Sequence, residues 1–171
     1  MGAISLGIAS SPLAKAEVVK APYKILEKKI ETDILIVGGG TAGVIAAIQA
    51  GRAGAKTTLV ESGSQLGGTT TTGGVCFPGI FHAWGKQVIG GIGWELVMEA
   101  VNLNDDILPN FSIVPNNTTI RHWRHQVTVN PALYAMIAEE KCVEAGVDLR
   151  YYETPTSIQF KMDGENSGQR D

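Results

Sequence analysis

From Asp33 to Val37 the chain reads Asp33-Ile34-Leu35-Ile36-Val37, then Gly38-Gly39-Gly40-Thr41-Ala42-Gly43, then Val44-Ile45-Ala46-Ala47. A β-branched, apolar run passes into clustered glycine and then into small and aliphatic residues, the order of a strand, a tight turn and a helix. The glycines fall as Gly38-x-Gly40-x-x-Gly43, and Glu61, 23 positions after Gly38, closes a second short strand, Thr57-Thr58-Leu59-Val60-Glu61. Each position has a physical task. Gly38 lets the chain leave the strand in a turn closed to side chains, Gly40 lets backbone approach a pyrophosphate, and Gly43 lets the first helical turn lie against the sheet. The helix start directs unpaired N–H groups at the phosphates without a cationic side chain. Glu61 supplies a carboxylate for the hydroxyls of an adenosine ribose. The alternative is a glycine-rich turn that serves packing alone.

Composition narrows the partners. The 171 residues carry a formal net charge of -3, with 44% hydrophobic and 18% charged residues. Nothing basic is present in bulk, so no nucleic-acid partner is expected. Glycine, at 21 of 171 residues, exceeds the usual ~7%, and most of the excess lies between residues 38 and 93, where backbone would approach a ligand or turn sharply. The two cysteines, Cys76 and Cys142, form neither a disulfide framework nor a metal-binding spacing. No apolar run is long enough for a transmembrane segment.

The length suits one domain between an arm at residues 1–30 and a disordered tail at residues 162–171. Within the arm, apolar Ile4 to Leu13 and the small-x-small triplet Ala14-Lys15-Ala16 have the form of a truncated export signal, without a basic leading region. A periplasmic location follows from that reading, and a cytoplasmic one from an ordinary N-terminus. Residues 31–161 are expected to hold an α/β fold with a parallel sheet. Strand one spans Asp33 to Val37, apolar enough to be covered on both faces. Helix one runs from Thr41 to about Ala53, with Val44, Ala47, Ile48 and Gly51 along one side, and strand two completes a βαβ unit.

Ser62 to Val75, with five glycines and Thr69-Thr70-Thr71-Thr72, reads as backbone laid along something polar. A helix from Trp94 to about Val101 has the stripe Trp94, Val97, Met98, Val101. Asn130-Pro131 caps and opens another, with Leu133, Met136, Ile137, Cys142 and Val143 buried and Gly146 as its stop. Val147 to Tyr152 and Ser157 to Lys161 read as strands, and the polar end as a frayed tail.

These residues resemble the FAD-dependent oxidoreductases of the glutathione-reductase-like, Rossmann fold class. The likeness is to a large bacterial family of such flavoproteins with heterodisulfide-reductase-like relatives. It is carried by Asp33 to Gly43, by Leu59-Val60-Glu61, by Gln65-Leu66-Gly67-Gly68 with its threonine-glycine continuation, and by the helix from Asn130 to Gly146 with the strand near Tyr151. The resemblance implies FAD as cofactor. Gly38, Gly40, Thr41, Ala42 and Gly43 would face its pyrophosphate, Glu61 and Ser62 the adenosine ribose, Gly68, Thr69, Gly73 and Gly74 the riboflavin side, and the backbone of Ile158 the adenine. Family chains are more than twice this long, so the chain is expected to be the N-terminal portion of a flavoprotein.

The partners implied are a small-molecule substrate or electron acceptor and either the missing C-terminal part or a homo-oligomer. The alternative is a non-catalytic nucleotide-binding fragment or assembly module. No catalytic residue is assigned. His82, His122 and His125, and Arg121 or Arg124 as an anion clamp, are candidates by residue type, with surface or structural roles preferred. Cys76 and Cys142 are read as inert thiols.

Overall fold

The structure is a computed structural model that describes residues 29–112, 126–160 and 168–170. Contacts divide the chain into Met1–Ile30 and Glu31–Asp171; the export-signal reading falls outside the described residues. The second unit begins with β1 (Ile34–Val37), α1 (Thr41–Arg52) and β2 (Thr57–Glu61), the expected βαβ unit. A two-stranded hairpin, β3 (His82–Ala83) and β4 (Lys86–Gln87), precedes α2 (Ile92–Leu103) and α3 (Pro131–Glu144), and β5 (Asp148–Tyr151) rejoins the first sheet. That sheet is parallel in the order β1-β2-β5, with Ile36 opposite Leu59 and Leu59 opposite Leu149. This is a Rossmann-like arrangement, in which every strand ends at one edge and the turn after β1 lies beside the end of β2.

The core lies between this sheet and the helices. Val44, Ala47 and Ile48 of α1, Leu59 of β2, Leu96, Val97, Ala100 and Val101 of α2, and Tyr134, Ile137, Ala138 and Cys142 of α3 form one buried cluster, against which Ile36 and Leu149 pack. Gly51 lets α1 lie against the end of α3: a Cβ there would lie within 2.3 Å of the Ala145 carbonyl oxygen. An Arg52–Glu95 ion pair, with the two terminal guanidinium nitrogens donating at 2.8 and 2.5 Å, ties α1 to α2 at the surface.

The structure corrects four expectations. β1 is not covered on both faces: Ile34, Leu35 and Val37 are 39%, 55% and 59% exposed, because only β2 pairs with it among the described residues and only Ile36 turns toward the helices. On α2, Leu96 and Ala100 are fully buried while Trp94 and Met98 are partly exposed, since α2 packs against both α1 and α3 and needs a wider apolar face than one stripe. On α3, Met136 and Val143 face outward, and Tyr134, Ala135 and Ala138 take the interior beside Ile137 and Cys142; small alanines let the helix approach its neighbours closely. Finally, β6 (Ile158–Phe160) pairs antiparallel with β7 (Gly168–Arg170), so part of the polar tail forms a ladder through its backbone, which needs no apolar side chain. No helix among the described residues is long and apolar enough to cross a membrane.

Local capping chemistry places α3 as its sequence implied. The Asn130 side-chain oxygen accepts from the Ala132 and Leu133 N–H groups at 3.0 and 3.4 Å, and Pro131 occupies the first turn. Replacing Asn130 by Ala is expected to cost about 1 kcal/mol and to lower the melting temperature by about 3 °C, measured by circular dichroism.

Candidate functional site

Four local features converge beyond the end of β1. Gly38 has φ +98°, a value open to glycine and strained for other residues, and its N–H donates to the Val60 carbonyl at 2.8 Å, pinning the turn to β2. Gly43 lies so close to that turn that a Cβ would come within 1.9 Å of the Gly38 carbonyl oxygen. Between them Gly40 stands at the start of α1 with φ -67°, and a Cβ there would meet nothing within 4 Å. Glycine at 38 and 43 therefore answers the protein's own geometry, whereas glycine at 40 leaves open space. The N–H groups of Thr41, Ala42 and Gly43 precede the first helical hydrogen bond, Val44 N–H to the Gly40 carbonyl at 2.9 Å. With no acidic side chain in the first turn and no side-chain cap, this helix end offers its partial positive charge to an external anion.

Glu61 sits on the same side as that helix start. Its Oε2 accepts from the Gly39 N–H at 2.6 Å, and its Oε1 from the Gly63 N–H at 2.6 Å and the Ser62 hydroxyl at 3.1 Å. The Gly63 N–H holds the carboxyl below its ordinary value, with the Gly39 N–H and Ser62 adding to the effect, against partial desolvation. Glu61 is thus an anchored anion. Oε1 already accepts two bonds and Oε2 one, so the remaining acceptor capacity lies on Oε2, where a ribose hydroxyl could donate.

A second strut comes from the loop after β2. The Gly67 N–H donates to the Gly39 carbonyl at 2.8 Å, Gly40 and Gly67 form a parallel bridge, and the Thr41 hydroxyl donates to the Gly67 carbonyl at 3.3 Å. Gly68 then lies over Gly40, where a Cβ would come within 2.9 Å of the Gly40 Cα. Leu66, fully buried, packs on Gly39: a Cβ on Gly39 would fall 2.5 Å from its Cδ2. Gly39, Gly63, Leu66 and Gly67 were not among the expected site residues. The signal available was a third consecutive glycine at a motif position that tolerates any residue, which steric crowding by Leu66 and Glu61 explains.

The other expected residues divide. Ala42 is exposed in the first turn of α1, and Ser62 spends its hydroxyl on Glu61. Thr69 is exposed and opens a turn, with the Val75 N–H donating to its carbonyl at 3.0 Å; Gly73 packs on the Thr69 backbone and Gly74 has φ +70°. Thr70 and Thr71 are buried, and Thr71 donates to the Leu66 carbonyl at 2.7 Å, so half of the threonine run serves the loop itself. Ile158 is in the separate β6–β7 sheet, 54% exposed, and no described hydrogen bond joins it to the turn.

His82 stacks on Phe111 at 3.8 Å and meets Trp94 edge-on at 5.2 Å, a packing role. His122, His125, Arg121 and Arg124 lie outside the described residues. Burial pushes the Cys142 thiol up to about 11, which leaves it protonated and unreactive at neutral pH.

The profile of the FAD dependent oxidoreductase family matches residues 33–169. The chain belongs to this family. Membership implies a capacity to bind FAD. The thiamine thiazole synthase of Methanococcus vannielii is 38% identical over 63 residues, which cover 37% of this chain and 24% of that protein. The dihydrolipoyl dehydrogenase of Pseudomonas aeruginosa is 50% identical over 56 residues, covering 32% of this chain and 12% of that protein. Among solved structures, THI4 of Thermovibrio ammonificans aligns with a TM-score of 0.46 at 16% identity, over 81% of this chain and 45% of that one. The matched segment therefore spans less than a quarter of the length of these curated relatives.

Because the Glu61 carboxyl is held down in the folded state, the unfolded chain binds its proton more readily. The stability it contributes is complete above about 4.5 and is lost as pH falls through the lower folded value. Glu61→Gln should therefore be less stable than the parent at pH ~7, and the gap between the two should narrow as pH drops below about 4.5, followed by urea melts across pH.

Proposed function

We propose that this chain holds the ADP half of FAD at the turn after β1 and forms the nucleotide-binding part of a flavin-dependent oxidoreductase. What supports the reading is one observation: at Gly40, where α1 starts, a Cβ would meet no protein atom within 4 Å, next to the first-turn N–H groups of Thr41, Ala42 and Gly43 and beside the anchored Glu61. A diphosphate seated there would meet backbone donors at the positive end of α1. The ribose would meet a carboxylate whose orientation is already set by three donors. Both groups would be held without reorganising the protein, which lowers the entropic cost of binding.

The flavin, when bound, supplies the hydride or electron transfer, and the protein supplies placement. On this reading Gly68, Thr69, Gly73 and Gly74 continue the ligand path toward the riboflavin, and a small-molecule substrate or an electron acceptor reacts at the ring. The Ile158 backbone as an adenine contact belongs to the same proposal, as do the likeness to heterodisulfide-reductase-like flavoproteins and the N-terminal arm at residues 1–30.

The test separates binding from folding. The full chain, reconstituted with FAD and freed of excess ligand, is expected to show flavin absorption bands. Gly40→Leu should lose them while melting within about 2 °C of the parent, since its Cβ meets no protein atom. Gly43→Ala should lose both flavin and stability, because its Cβ collides with the Gly38 carbonyl. A parent chain that stays colourless, or a Gly40→Leu chain that keeps its flavin, would count against the reading.

A further inference from the structure

Within the buried apolar cluster of the described residues, Tyr134 alone carries a hydroxyl. The residue is 1% exposed, and a phenol left unpaired at that depth would lose its hydration without return. Its partner is Thr41, to whose side chain it is hydrogen-bonded. Thr41 opens α1, and Tyr134 stands near the start of α3. At the other end of the same pair of helices, Gly51 lies on the Ala145 carbonyl oxygen. The two helices therefore run in the same sense, and both begin at the edge that carries the glycine turn.

The direction of each bond follows from counting protons. The Thr41 hydroxyl donates its only proton to the Gly67 carbonyl at 3.3 Å, so toward Tyr134 it can only accept, and the phenol donates. The result is a relay, from the Tyr134 O–H to Thr41 Oγ1 and from the Thr41 O–H to the Gly67 carbonyl. Its last member is part of the site. Gly67 gives its N–H to the Gly39 carbonyl at 2.8 Å and bridges Gly40, and Gly68 follows so closely over Gly40 that a Cβ would fall 2.9 Å from the Gly40 Cα. A bond of 3.3 Å between Thr41 and Gly67 is long for a hydroxyl donor, and accepting from a second hydroxyl polarises that donor and strengthens it. The phenol also fixes the Thr41 rotamer, which a threonine in a first helical turn otherwise shares with nearby backbone acceptors.

We propose that Tyr134 is a positioning residue for the diphosphate: by holding the Thr41 hydroxyl on Gly67, it keeps the Gly67–Gly68 segment seated against Gly40 and the first N–H groups of α1 in place. The inference rests on the reading of this turn as a diphosphate site, and it adds a residue from a helix outside the glycine motif. Tyr134 touches no ligand and acts through Thr41. Glu61 takes its orientation from Gly39, Gly63 and Ser62, so the ribose end does not depend on the relay.

The experiment uses the full chain, titrated with ADP by calorimetry and with adenosine, which lacks the diphosphate, by ligand-observed NMR. Tyr134→Phe keeps the packed ring and should weaken ADP about fivefold, the share of one hydrogen bond, with adenosine affinity within about twofold of the parent. Thr41→Val removes the middle of the relay and should weaken ADP by a similar factor. In the Thr41→Val background, Tyr134→Phe should add less than about twofold, because the two side chains act as one unit. A phenol that serves the core alone would lower the melting temperature in both backgrounds and leave ADP affinity unchanged, which overturns the proposal. So do equal losses of ADP and adenosine, or losses from the two substitutions that multiply. Should Tyr134→Phe not fold, Thr41→Val carries the test from the other side, and an unchanged ADP affinity there overturns the relay. A parent chain that binds no ADP refutes the diphosphate reading itself, whereas one that binds ADP with the same affinity in both single variants refutes only the role of Tyr134.

Discussion

The hydrogen bond between the Gly39 N–H and Glu61 Oε2, 2.6 Å long, joins the ends of two parallel strands through a side chain where the sheet's own ladder has stopped. Around it the rest of the site is organised. It sets the height of the glycine turn relative to β2, which sets where α1 begins, and the close fit of Gly43 on the Gly38 carbonyl then fixes the helix direction. Leu66 closes the same contact from below, and the Gly67 ladder from the side. A carboxylate this well anchored is held in its charged form, so at neutral pH the turn carries a negative charge on one flank and the positive end of a helix on the other. A nucleoside diphosphate presents the complementary pair, a hydroxylated sugar and an anion.

That arrangement explains why the three motif glycines are not equivalent. Two are demanded by the protein's internal geometry, Gly38 by its φ and Gly43 by its neighbour, whereas Gly40 answers only to what approaches from outside. Gly39 belongs to the first group, because Leu66 and Glu61 occupy the space its side chain would need. The threonine-glycine loop divides in the same way. Thr70 and Thr71 are turned inward to hold the loop, and Thr69 and Gly74 face out.

The βαβ unit, the cap of α3 and the turn glycines were legible in the sequence because they depend on local physics: hydrophobic period, the side-chain oxygen of Asn130, and the backbone freedom of glycine. The side of α3 that faces the core matches expectation at Ile137 and Cys142 and departs from it at Met136 and Val143. Met136 and Val143 are as hydrophobic as the residues that are buried, and only the positions of α1, α2 and the sheet decide that Tyr134 and Ala138 go inward. The exposure of β1 has the same origin. An apolar strand reads as buried on both faces, yet burial depends on neighbours that a strand does not itself encode. β7 escaped notice because a backbone ladder leaves no hydrophobic trace.

Residue order alone therefore determined that a glycine turn would join a strand to a helix and that an acid would end the next strand, since both follow from short-range conformational preference. It also determined the family, whose profile spans residues 33–169. Tertiary structure decided that the acid would be clasped by Gly39, Gly63 and Ser62, and that Gly67 and Leu66 would brace the turn. Those outcomes depend on distances between segments far apart in the chain, and such distances exist only once the sheet has brought the strand ends to one edge.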